Sequence, residues 1–250
     1  MSYSSSRLRV LVGKELRQVR RSKGALISAT LLPLFLMTAM PLFQLFAARG
    51  AAAGGASVAM NLPAGMAAVG NDPVQLLVRL MFPMFLVLGG LLVPSVAATY
   101  TVVAEREKRS IELLMALPVR VSDILLAKLL AMLALAAIVV LPLFAVDMAV
   151  LLVLGLIGLL EVALLLVLLL AALACSVGVA LLLALLARDF RTANNLNGAF
   201  IVPAILATLA VLFLLPSPLS YAVLGALLLA LAAATILVGV RWLTFERYVV

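Results

Sequence analysis

The chain has 250 residues, 67% of them hydrophobic and 11% charged, with a formal net charge of +8. A soluble domain carries about 45–50% apolar and about 25% charged residues, so this composition excludes an ordinary soluble fold and instead supplies several spans of about 20 apolar residues each. The chain holds no histidine and a single cysteine, Cys175, which removes Ser-His, Cys-His and His-metal chemistry and any intrachain disulfide.

In chain order, residues 7–23 place Leu8, Leu11, Val12, Leu16 and Val19 at helical spacing, with Arg9, Lys14, Arg17, Arg20 and Arg21 mainly on the remaining surface. The pattern predicts an amphipathic helix lying along the cytoplasmic membrane surface. The 25 charge-free residues that follow predict a first span over 24–48. It is too long for a signal-peptide core and lacks a prompt small-residue cleavage site, so it is expected to be retained. Residues 49–79 are rich in Ala and Gly and too poor in periodic apolar positions for an independent outer domain. A second span is predicted over 80–104.

Beyond the polar segment 105–123, treated below, four further spans are predicted over 124–150, 160–187, 199–215 and 219–240, the last two divided by Pro216, Ser217 and Pro218. Residues 148–160, bracketed by Asp147 and Glu161, allow three readings: an extension of the third helix, an outer hairpin or an interfacial piece. The two carboxylates are expected to be interface anchors; a functional role for one of them is the alternative that ionisable groups in membrane runs invite. Ala174 and Gly178, four apart with Ser176 between them, predict a close helix contact. Pro33, Pro41, Pro83, Pro94, Pro142 and Pro203 each free a backbone carbonyl that a neighbouring helix must satisfy.

Lys and Arg test this six-span reading. With Lys128 counted in the connection that precedes the third span, they number 7, 2, 5, 0, 2, 0 and 2 along the seven segments, so alternate segments hold 16 and 2 of the 18 basic residues. This is the positive-inside pattern, and it places both termini in the cytoplasm of a multi-pass inner (plasma) membrane protein. The basic charge therefore belongs to the membrane, and no nucleic-acid partner is expected. The fold expected is an all-α membrane protein: one transmembrane domain over 1–250 with six helices, an N-terminal interfacial helix, and a short cytoplasmic helix between spans two and three.

The most distinctive segment joins spans two and three, EREKRSIELLMALPVRVSDILLAK over 105–128. Glu105 with Arg109 and Lys108 with Glu112 are opposite charges four apart, as a helix requires. Ile111, Leu114 and Met115 form an apolar patch on it. Pro118 ends the element by disfavouring helix at Leu117, and Ser122 and Asp123 suit the start of the next helix. Exposed apolar surface of this extent meets a partner protein or lies on the bilayer.

This segment resembles the coupling region of type-2 ABC exporter permeases, in which an acidic run precedes an apolar residue, Glu, a Leu-rich turn and Pro with an apolar residue, with a Lys about ten positions on. Glu105, Glu107, Ile111, Glu112, Leu113, Leu114, Pro118, Val119 and Lys128 match; Arg109 and Ser110 stand where the family often has Gly-Thr, and Ser110 keeps the hydroxyl. The basic N-terminal helix with Lys14, Glu15 and Leu16, a first span with Pro33, and the connection over 188–197 are also similar to the family.

The resemblance implies a permease subunit that forms the translocation pathway with a second copy or a homologous permease. Two separate ABC ATPase subunits, which bind ATP and Mg, would dock on Glu105, Glu107, Ser110, Ile111, Glu112, Leu114 and Pro118, and on Arg188 and Arg191. It also makes Thr99, Tyr100, Asn194 and Asn195 candidates for lining the pathway, although capping of the fifth helix is the role expected of at least two of Asn194, Asn195 and Asn197. The residues agree that the motor lies elsewhere: the only Gly-Lys pair, Gly13 and Lys14, is followed by Glu15 and lacks a P-loop's preceding glycine. No cofactor is expected in the chain and it is not expected to be an enzyme. A channel or secondary carrier without an ATPase, and a membrane scaffold binding another cytoplasmic protein, are the competing readings of the spans alone.

Overall fold

A computed structural model describes Gly13 and residues 30–53, 72–98, 121–186 and 190–244. Apart from Gly13, the expected interfacial helix over 7–23 lies outside the described residues, as does most of the segment over 105–123. All the long elements are helical: α1 (Thr30–Ala53), α2 (residues 73–98), α3 (Val121–Val153), α4 (Leu159–Leu186), α5 (Phe190–Leu214) and α6 (Leu219–Thr244). Each contains a stretch long and apolar enough to cross a membrane.

Several bounds differ from those read by counting charges. Helix α1 continues past Arg49, which is exposed, and α2 begins seven residues before Leu80, with Arg79 inside it. The start of α2 has a local cause: Asp72 accepts a hydrogen bond from the Val74 N–H at 2.9 Å, and Pro73 occupies the first helical position, where its missing N–H costs nothing. Helix α5 starts at Phe190, nine residues before the predicted span.

The ambiguous stretch after Asp147 resolves as an extension of α3 to Val153 followed by a tight turn. The Leu156 N–H reaches the Leu151 carbonyl and the Gly155 N–H reaches that of Leu152, both at 3.0 Å, with Gly155 at φ 67°. This is a Schellman closure, and the left-handed residue it needs is glycine. Glu161 then reaches back three residues to accept from the Gly158 N–H at 3.2 Å, capping α4. Glu161 is thus a helix cap at the end of the span.

Helices α2 and α4 form the centre. Of their spanning windows 61% is buried, against 22–28% for the other four, and α4 runs in extensive contact between α2 and α6. Val87 and Leu91 of α2 share one core with Leu168, Leu169 and Leu173 of α4, all fully buried. In lipid this core gains little from leaving an apolar solvent, so close packing and interhelical hydrogen bonds hold it. The predicted small-residue contact on α4 proves to have two faces. Gly178 lies against Thr235 of α6, leaving no room for a Cβ, whereas the Ser176 hydroxyl donates to the Leu91 carbonyl of α2.

The prolines shape the outer helices as well as the centre. Two π-helical turns, Leu34–Ala39 and Leu77–Met81, lie just before Pro41 and Pro83. A proline clashes with the carbonyl four residues back and cannot bond it, and widening the turn relieves the clash. For Pro83 that carbonyl belongs to Arg79, and the buried Tyr221 of α6 donates its hydroxyl to it at 3.4 Å. Next to the carbonyl freed by Pro94, that of Leu91 takes the Ser176 hydroxyl already described.

Candidate functional site

Because consecutive spans run in opposite directions, the connection between α2 and α3 and the three-residue connection between α4 and α5 fall at the same end of the helix array. The residues expected to meet an ATPase belong in sequence to these two connections and to the first turn of α5. Of these, Glu105, Glu107, Ser110, Ile111, Glu112, Leu114, Pro118 and Arg188 lie outside the described residues, as do Thr99 and Tyr100. Arg191 is exposed in the first turn of α5, and Asn195 is exposed one turn further along the same face. Asn194 is within α5, and Asn197 is buried. The capping role expected of at least two of these asparagines is therefore corrected: a cap precedes the first turn, and these residues sit in the second.

The face that begins with Arg191 and Asn195 continues along α5 through Gly198, Ala199, Val202 and Leu206, all exposed in the single chain. A polar Asn and two small residues on an uncovered side of a spanning helix suit a second helix better than lipid.

The opposite end holds polar contacts between elements distant in sequence. The Arg79 guanidinium donates to Ser217 Oγ at 2.6 Å and to Gln75 Oε1 at 3.4 Å, joining α2 to the turn between α5 and α6. These bonds, with Tyr221 on the Arg79 carbonyl, explain why an arginine is accommodated six residues inside a spanning helix. The role of Asp72 was readable in the Asp-Pro pair; the partnership of Arg79 with Ser217 and Tyr221, across roughly 140 residues of chain, had no local signal.

Between these ends, Thr38 Oγ1 of α1 donates to Asp147 Oδ2 of α3 at 3.2 Å. Asp147 is only 3% exposed, and its Oδ1 has no hydrogen-bond partner. The expectation of an interface anchor is overturned here: Asp147 lies six residues before the end of α3 and its side chain turns into the protein, toward α1. Among the described residues, no group of three or more Cys, Asp or Glu side chains gathers as a metal site.

Six long apolar helices, a packed centre of two, and described polar groups gathered at helix ends and interhelical contacts define a multi-pass membrane protein. The family is shown by comparison with known proteins: residues 9–202 match the ABC-2 family transporter protein family, so the chain belongs to it and is a membrane permease. The match runs from the basic N-terminal segment through the whole connection between α2 and α3 and through α4 into the middle of α5. Comparison with curated proteins and with solved structures gave no match.

Proposed function

We propose that this chain is the transmembrane subunit of an ATP-driven exporter, working as a dimer above two separate ATPase subunits. The observation that carries the reading is the ABC-2 family match over residues 9–202, which contains the segment EREKRSIELLMALP at the connection between α2 and α3. In this reading the ATPase grips Glu105, Glu107, Ser110, Ile111, Glu112, Leu114 and Pro118, with Arg188 and Arg191 as a second contact, and ATP and Mg stay in the partner. Both termini lie in the cytoplasm in this reading, which the distribution of Lys and Arg supports.

The mechanics follow from the connectivity. Helix α3 starts at Val121, three residues after Pro118, so a pull on the coupling segment reaches α3 with little slack. Helix α2, at the other end of that segment, is one of the two central helices, so the same pull bears on the core. Closure of the ATPases then biases two arrangements of the helices, a rocking motion about the packed α2 and α4 centre. Moving such an equilibrium from 1:99 to 99:1 takes about 5.5 kcal/mol of differential interaction, so the docking contact must be firm. Pathway walls come from the start of α5 at Asn194 and Asn195 and from Thr99 and Tyr100 following α2.

The test is purification of the tagged chain from its native membrane. The wild type should retain a nucleotide-binding-cassette ATPase in equimolar amount and stimulate its hydrolysis after reconstitution. Replacing Glu112 and Leu114 together with alanine should abolish both while leaving membrane insertion unchanged. An ATPase retained and stimulated equally by the double variant would remove the coupling role from this segment.

A further inference from the structure

The contact between Thr38 and Asp147 stands apart from everything the export mechanism uses. Asp147 is 3% exposed, one carboxylate oxygen accepts from Thr38 Oγ1 at 3.2 Å, and the other, Oδ1, meets no donor. A buried carboxylate oxygen without a donor is costly, and a proton or a ligand that supplies positive charge relieves it. The described charged side chains of the packed elements do not supply it. Arg49 on α1 is exposed eleven residues beyond Thr38, about 16 Å along the helix. Arg79 on α2 is engaged with Ser217 and Gln75, and Glu161 on α4 caps its own helix.

We propose that Asp147 and Thr38 form a binding site for one sodium-sized monovalent cation between α1 and α3. Three oxygens are in place: both carboxylate oxygens of Asp147 and the Thr38 hydroxyl, whose lone pairs stay available while its proton is donated. Hard cations of about 1 Å radius hold protein oxygens at about 2.3–2.6 Å, so two neighbouring ligands stand roughly 3.2–3.7 Å apart. The 3.2 Å between Thr38 Oγ1 and Asp147 Oδ2 matches the lower end of that range.

The backbone around Thr38 is also short of donors. Thr38 sits in the π-helical turn Leu34–Ala39, and Pro41 has no N–H to offer the carbonyls of Met37 and Leu36, four and five residues back. The same turn therefore carries further oxygens for which proline provides no donor. Charge decides the valence. A single carboxylate and a monovalent cation leave a neutral buried cluster, whereas a divalent cation would leave one uncompensated positive charge in an apolar interior.

The experiment is a thermal melt of the full chain in lipid nanodiscs, with sodium chloride replaced stepwise by N-methylglucamine chloride at constant ionic strength, repeated at an acidic and an alkaline pH. For the wild type, the midpoint should rise by about 3–5 °C per tenfold sodium above the dissociation constant, because only the folded state holds the ion. Asp147→Asn should lose the response, and Thr38→Val should move it to higher sodium. A wild-type midpoint flat in sodium, moving with pH alone, would overturn the proposal by assigning Oδ1 a proton. A sodium response retained in Asp147→Asn would overturn it too, by placing the ion elsewhere. Should Asp147→Asn fail to insert, the wild-type titration and Thr38→Val decide between these outcomes.

Discussion

Gly178 shows how much a single missing methyl group decides in this chain. A Cβ there would run into the Thr235 hydroxyl, and that side chain is itself held by a hydrogen bond to the Ala232 carbonyl at 2.9 Å. Thr235 therefore cannot swing aside without giving up its bond. Gly178→Ala should destabilise the α4 and α6 pair by about 1–3 kcal/mol, the usual penalty for overpacking a tight contact. Thr235→Ala, which leaves only the more distant Cβ opposite position 178, should restore most of the loss in the double variant. Unfolding in mixed micelles measures both. Equal stability of Gly178→Ala and wild type would show that α6 relaxes away from α4. The sequence marked Gly178 as a contact residue, because small residues four apart on an apolar helix are a local pattern. It could not say which helix would meet it, since Thr235 lies 57 positions on.

At the scale of the element, prolines and hydroxyls act as pairs. Pro83 leaves the Arg79 carbonyl without its helical donor, and Tyr221 of α6 supplies one. Removing that donor by Tyr221→Phe should cost about 0.6 kcal/mol and no more than about 1.7 kcal/mol, the average and the maximum measured for interhelical hydrogen bonds in a membrane protein. In a Pro83→Ala background the backbone gains an N–H at position 83 that can serve the carbonyl itself, so the same Tyr221→Phe change should then cost markedly less. A double-mutant cycle reports the difference as a coupling energy, and a zero coupling would separate the tyrosine from the proline. The need for such donors was legible, because every proline in a spanning run announces an orphaned carbonyl. The donors were not, since each comes from another helix. Element ends show the same division. Charge counting placed the start of α2 at Leu80 because Arg79 looked like a boundary, but the Asp72 cap and the Ser217 contact let the helix take that arginine in. Asp147 misled in the opposite sense: a carboxylate near the end of an apolar run suggests the interface, and only the position of Thr38 on α1 reveals that it points inward.

For the whole molecule, the number of helices followed from composition and from the alternation of basic segments, both properties summed over the entire chain. Which helices are central did not, because each run is apolar on every side and carries no apolar stripe to orient it. The structure places α2 and α4 inside and leaves one face of α5, with Asn195, Gly198 and Ala199, uncovered. If the permease works as a dimer, that face is where the second copy belongs, since small residues admit close backbone approach and an asparagine can bond across the seam. Cross-linking tests this with little interference from the native thiol, because Cys175 is fully buried in α4. In a Cys175→Ala background, Ala199→Cys should form disulfide-linked dimers on mild oxidation in native membranes, whereas Leu227→Cys, exposed on α6, should not. Cross-linking at Leu227 with none at Ala199 would move the seam to α6 and leave the α5 face to lipid.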